Sequence, residues 1–184
     1  MSLLLKLALS IPIGIALLYQ LLQPEASGGV LVELKVFGAA AFAVVLVFLL
    51  LVAFYARDLA RTLRMVSHES RVVKPASVWL MFLLPYNFIE DFFIVANVAK
   101  SLKLEAEDNP ALSRFKSFGL ASGITWCSAQ IVSLVPNDIG SAAGCVAVIA
   151  WVWHWVFIRQ ANRALVTSGL ANNSSQPTPQ SEAA

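Results

Sequence analysis

The chain has 184 residues, 58% of them apolar and only 13% charged, with a mean hydropathy of +0.72. A soluble domain carries roughly 25% charged residues, so an ordinary water-soluble globule is excluded. The formal net charge of +2 gives no basis for a nucleic-acid partner, and what matters is where the charges lie.

Leu3 to Leu22 is the first apolar segment, interrupted by Lys6, Ser10, Pro12 and Gln20. At 1.5 Å per residue it is about 30 Å long, one bilayer core, and Lys6 can snorkel to the interface. A secretory signal is the rival reading, with Ala26-Ser27-Gly28 as cleavage site. The run is long for a signal, and Pro24-Glu25 suits cleavage poorly. Pro24 to Gly29 reads as a turn-rich loop. Val36 to Ala56 is the cleanest span: 21 residues without a charge, preceded by Lys35 and carrying Tyr55 as an interface anchor. Beyond it Arg57, Arg61 and Arg64 share one helical face.

Ser70 to Glu105 organises the chain. Pro75 suits the start of a helix, Ala76 to Leu84 is apolar, and Pro85 breaks it. From Tyr86 a second helix is expected, with Asn87, Glu90, Asp91, Asn97 and Ser101 in one sector of about 120° and Phe88, Phe92, Val95 and Ala99 opposite. Asn109-Pro110 reads as the next helix start, leading to an apolar run from 117 to 135. Pro136-Asn137-Asp138 is a tight turn before a last span over 139–158. Residues 168–184 read as a disordered tail after a membrane domain over 1–167. Asn172 and Asn173 match glycosylation sequons by chance, because the topology puts them on the wrong side.

If the central stretch crosses the membrane there are five spans. The basic segments 57–74 and 100–116, with five and four Lys/Arg, then lie on opposite sides. If it enters and leaves on one side, twelve Lys/Arg lie inside and only Lys35 outside. The energetics agree, since an ionised Asp at a span's centre costs about 2.5–3.5 kcal/mol. The expected fold is therefore all-α: an integral membrane bundle with spans at about 3–22, 36–56, 117–135 and 139–158, and a broken re-entrant or interfacial amphipathic element over 75–103. Both termini are cytoplasmic.

The acidic pair Glu90 and Asp91, with Asn87, is the first candidate site. It is either the wetted face of an interfacial helix, or a clamp pairing with Arg57, Arg61 or Arg64. The second is the juxtamembrane cluster Arg57, Arg61, Arg64, Arg71 and Lys74, a candidate surface for anionic lipid, diluted by Asp58 and Glu69. His154, within Trp151-Val152-Trp153-His154-Trp155, has no partnering His inside the membrane, so an aromatic interface belt accounts for it better than a metal or haem site. Cys127 and Cys145 read as packing residues. Gly119-x-x-x-Gly123 and Gly140-x-x-x-Gly144 allow close helix approach within the chain or in a homo-oligomer. Gln130 is expected to bond a neighbouring helix. No nucleophile–base pair, phosphate loop, metal motif or dinucleotide fingerprint is present, so no enzyme activity, cofactor or metal is expected.

Arg71-x3-Pro75-x2-Val78-Trp79-Leu80-x4-Pro85-x-Asn87, followed by Ser101-Leu102 and Glu105, resembles a motif of small, uncharacterised bacterial multi-pass inner-membrane proteins. The likeness covers about a fifth of the chain. It departs by one residue between Pro85 and Asn87, and at Glu90-Asp91, where that family tends to carry an aromatic. The resemblance implies a bacterial inner membrane and brings no activity with it. The function expected is a non-catalytic accessory, scaffold or lipid-interacting subunit, with the bilayer and a protein partner or second copy as its contacts. The alternative is a small transporter or channel whose path is lined by 76–103.

Overall fold

The computed structural model describes residues 3–22 and 39–174, and every regular element in them is helical. The α-helices are α1 (Leu3–Leu22), α2 (Ala39–Met65), α3 (Asn87–Asp108), α4 (Leu120–Val132) and α5 (Asp138–Ser174). Short 3-10 helices at Pro75–Phe82 and Pro110–Leu112 flank α3.

α2 is built from Ala, Val, Leu and Phe with neither Gly nor Pro inside it, a composition that sustains a long helix. Its end is closed by Arg71, whose Nη2 donates to the carbonyl oxygens of Arg64 (3.2 Å) and Val66 (2.9 Å). Those carbonyls have no partner further along the helix. Every residue from 42 to 51 is both apolar and exposed. Apolar surface exposed all round a helix marks a contact with a membrane or another protein. Phe42–Met65 and Asp138–Gly169 are long and apolar enough to cross a bilayer. Only 17% and 28% of their most apolar windows are buried, unlike the core helix of a soluble protein.

α2 and α5 run side by side in the same direction. Phe48 lies tilted against Trp151, Tyr55 meets Trp155 edge-on, and Asp58 accepts from Trp155 Nε1 (2.7 Å) and Arg159 Nε (3.0 Å). Thr62 Oγ1 donates to Asn162 Oδ1 at 2.7 Å in a fully buried contact, and Asn162 Nδ2 donates to the Asp58 carbonyl. Where α2, α3 and α5 converge, Leu59, Leu63, Val98, Leu102 and Ile158 form the apolar core. α4 folds back antiparallel on α5. Asn137 caps α5 through its Oδ1, which accepts from Gly140 N (3.0 Å).

Between α2 and α3 the chain leaves and returns at one end of α2. Ser67 N donates to Glu105 Oε2 (2.9 Å) and Val72 N to Ser101 Oγ (3.0 Å), so positions 29 and 38 apart are tied together. The 3-10 helix descends, Pro85 breaks the chain, and α3 climbs back. α1 docks antiparallel on α3, with Gly14 against the Pro85 ring and Lys6 against Glu90.

Several boundaries differ from the expected ones. The 117–135 span is a helix only over Leu120–Val132, 13 residues and about 20 Å, shorter than a bilayer core. Phe118 (φ 48°) and Gly119 (φ 76°) both adopt left-handed backbone, which stops α4 from extending backwards. Asn109-Pro110 opens the 3-10 helix Pro110–Leu112, where Asn109 Oδ1 accepts from Ala111 N, and not α4 itself. α2 continues past 56 to Met65, as expected of its arginine-bearing extension, whereas α5 runs to Ser174, past the expected tail boundary at 168. The loop at 24–29, the rival cleavage site, Lys35 and the tail beyond 174 lie outside the described residues.

Candidate functional site

The acidic pair sits one turn into α3, immediately after the Pro85 break. α3 turns its polar sector inward: Asn87, Glu90, Asp91 and Ser101 are all buried, while Phe92 and Phe93 are half-buried and Lys100 and Lys103 exposed. The wetted-face reading therefore fails. The opposite sector is enclosed as well, since Phe88, Val95 and Ala99 are buried, so α3 is covered on both faces.

Glu90 has a counter-ion, and it is not an arginine. Lys6 Nζ lies 2.6 Å from Glu90 Oε2, with side-chain exposures of 16% and 7%, and 4.2 Å from the centre of the Phe93 ring. α1 thus brings the cation and α3 the anion, and the neighbouring ring adds a cation–π contact. The clamp expected with Arg57, Arg61 or Arg64 does not form. Those three side chains point to the surface and make no ion pair among the described residues.

Asp91 has no such partner. It is 2% exposed, and its Oδ1 finds no hydrogen-bond donor among the described residues. Burial, and then the adjacent Glu90 charge, push its carboxyl well above the usual carboxylate range. Asn87 Oδ1 is similarly buried and unpartnered.

On the facing helices lies a second set of buried polar atoms. The Tyr55 ring is surrounded by Trp126, Trp151, His154 and Trp155, with ring centres 5.6–6.1 Å away. His154 Nδ1 stands 2.9 Å from the Gly119 carbonyl oxygen and 3.2 Å from Ser122 Oγ. The carbonyl can only accept, so this contact assigns the ring proton to Nδ1. Tyr55 Oη, Trp151 Nε1 and His154 Nε2 find no partner among the described residues. Val95, Gly123 and His154 meet in one layer, because a side chain at Gly123 would overlap Val95 and crowd His154. One turn further on, Asp91, Cys127, Trp151 and Tyr55 form the next layer. The Trp/His run is therefore not a simple belt. Trp153 faces outward, while Trp151 and His154 are buried and Trp155 bonds Asp58.

Of the basic cluster, Arg57, Arg61, Arg64 and Lys74 are exposed, whereas Arg71 is occupied in capping α2. Gln130 Oε1 is buried without a bond, contrary to the expected link to a neighbouring helix. Sequence reasoning missed Lys6 as the partner of Glu90, and Asp58 as the junction of α2 and α5. Lys6 is separated from Glu90 by 84 positions, and only α1 docking reveals the pair. The Asp58 junction had a signal: Asp58 and Thr62 are one turn apart, as are Trp155, Arg159 and, nearly, Asn162. Among the described residues no group of three or more His, Cys, Asp or Glu is placed to hold a metal ion.

No protein-family model matches the chain, and no curated protein or solved structure matches it either.

Proposed function

We propose that the chain is a multi-pass protein of a bacterial inner membrane, with four spans and both termini cytoplasmic. It acts without catalysis, as an accessory, scaffold or lipid-interacting subunit. The observation that carries this reading is the unbroken exposed apolar surface of 42–51, followed on the same helix by three exposed, unpaired arginines, Arg57, Arg61 and Arg64. Apolar surface of that extent needs acyl chains or a protein partner around it. A juxtamembrane arginine stripe attracts anionic head groups at about 1 kcal/mol per charge. The parallel course of α2 and α5, and the return of the 67–105 segment to one end of α2, support placing the basic segments on one side. α4 crosses only with its flanking turns. The bacterial inner membrane rests on the motif resemblance. The test is lipid analysis of protein purified from membranes of mixed charge. Arg57→Gln, Arg61→Gln and Arg64→Gln together lower the anionic fraction of co-purified lipid. An unchanged fraction rejects the lipid-interacting role and leaves the arginines as topological signals.

A small transporter or channel is the second reading, favoured by the buried, unpartnered polar atoms of Asn87, Asp91, Tyr55 and Trp151 beside the broken segment 76–103. Ion or proton flux into vesicles containing the protein, lost in Asp91→Asn, supports it over the first.

A further inference from the structure

Where the chain turns from α3 towards α4, Arg114 faces α5 across an open cleft of about 510 Å³ lined by Arg114, Phe115, Gln160 and Arg163. No carboxylate lines it. The neighbouring Arg159 is engaged with Asp58, but Arg114 and Arg163 have no ion-pair partner among the described residues. The Arg114 guanidinium is held over the Phe115 ring at 4.8 Å, and that ring stands edge-on against Phe157 at 5.3 Å. One of the two cations is therefore positioned before any ligand arrives, which lowers the ordering cost of binding. Two guanidiniums and a carboxamide lining one cleft suit a phosphate, whose oxygens accept from planar N–H forks.

What lies below the cleft identifies the rest of the ligand. Ile149, Val152, Trp153 and Val156 are exposed, and with Gln160 and Arg163 they fall within about 100° of one another around α5. From Arg163 back to Ile149 is about 20 Å along the axis, which matches a head group plus much of one leaflet of a roughly 30 Å core. A free phosphate has no use for this stripe. A phospholipid does, with its phosphate at the top and its chains along α5.

We infer that an anionic phospholipid binds here as a discrete ligand, its phosphate between Arg114 and Arg163 and its acyl chains on the Ile149–Val156 stripe. The site uses none of the α2 arginines and rests only on the membrane part of the proposed function.

Native mass spectrometry of the full chain in mild detergent tests it, titrated with phosphatidylglycerol and with phosphatidylcholine. Wild type binds its first phosphatidylglycerol in preference to phosphatidylcholine. Arg114→Gln with Arg163→Gln weakens that first binding by about 30-fold, at about fivefold per charge. Trp153→Ser with Val156→Ser weakens it too, while Arg57→Gln/Arg61→Gln/Arg64→Gln leaves it in place and removes only later, weaker lipids. The site is refuted if the Arg114/Arg163 variant keeps the preference, if phosphatidylcholine binds equally well, or if inorganic phosphate displaces the lipid as efficiently as phosphatidylglycerol does. Wild type retaining no phospholipid at all overturns the lipid-interacting reading together with the site.

Discussion

Lys6 of α1 meets Glu90 of α3 at 2.6 Å across 84 positions of sequence, and this ion pair, with the Gly14–Pro85 contact, fastens the first helix to the rest of the molecule. Both partners are mostly buried. Removing one partner of a buried pair leaves an uncompensated charge and costs about 3–5 kcal/mol, whereas replacing both with apolar groups can be neutral. Lys6 keeps some exposure, which places the expected loss for Lys6→Met or Glu90→Gln at the lower end of that range. Lys6→Met with Glu90→Leu recovers most of it. Denaturant unfolding in detergent, run as a double-mutant cycle, measures the coupling. The sign exchange Glu90→Arg with Arg61→Glu brings no recovery, because Arg61 faces the surface.

Asp91 behaves oppositely. Its folded-state pKa is raised, by burial first and by Glu90 second. The folded chain therefore holds a proton that the unfolded chain has released, and stability falls as pH rises from about 4, the ordinary carboxylate value, to the raised one. Asp91→Asn removes this slope. At pH 8 it stabilises the protein, because Asn is neutral without having to take up a proton. At pH 4 the variant and wild type converge. Melting temperatures at the two pH values check this, and a variant less stable than wild type at pH 8 shows that Asp91 has a partner in the folded state.

The two glycines of the Gly140-x-x-x-Gly144 repeat are not equivalent. A methyl group at Gly140 would overlap the Val135 carbonyl oxygen, which is backbone and cannot move aside, whereas at Gly144 it would meet Ser133 Cβ at an ordinary 3.8 Å. Gly140→Ala is expected to cost about 1–3 kcal/mol through overpacking. Gly144→Ala is neutral or slightly stabilising through its helix propensity. Equal effects of the two substitutions in detergent unfolding would mean that the repeat serves contact between copies and not the α4–α5 turn.

Helix type and the Pro85 break are legible in the sequence because they depend on local properties: apolar runs, a missing backbone donor, and turn residues such as Asn137. The all-helical class follows from the same runs. What local pattern could not decide is that both faces of α3 point inward. The polar sector of Asn87, Glu90, Asp91 and Ser101 is correctly drawn from the 3.6-residue period, but other helices cover it as they cover Phe88, Val95 and Ala99 opposite. The partner of Glu90 was hidden for a different reason. Lys6 looks like an interface lysine in its own helix, and charge pattern alone favours the three arginines nearer in sequence. The start of α4 was misplaced because Phe118 adopts a left-handed backbone that no local rule expects of a phenylalanine.

The central claim is that the chain between α2 and α4 enters and leaves on one side. Ser67–Glu105 and Val72–Ser101 hold its two ends together. His68 and Glu107 are exposed and flank it. With Cys127 and Cys145 replaced, single cysteines at 68 and 107 in sealed, oriented vesicles give the direct test. The account predicts that both react with a membrane-impermeant thiol reagent from the cytoplasmic side and neither from outside. Labelling of 68 and 107 from opposite sides would contradict it and make the segment a fifth span.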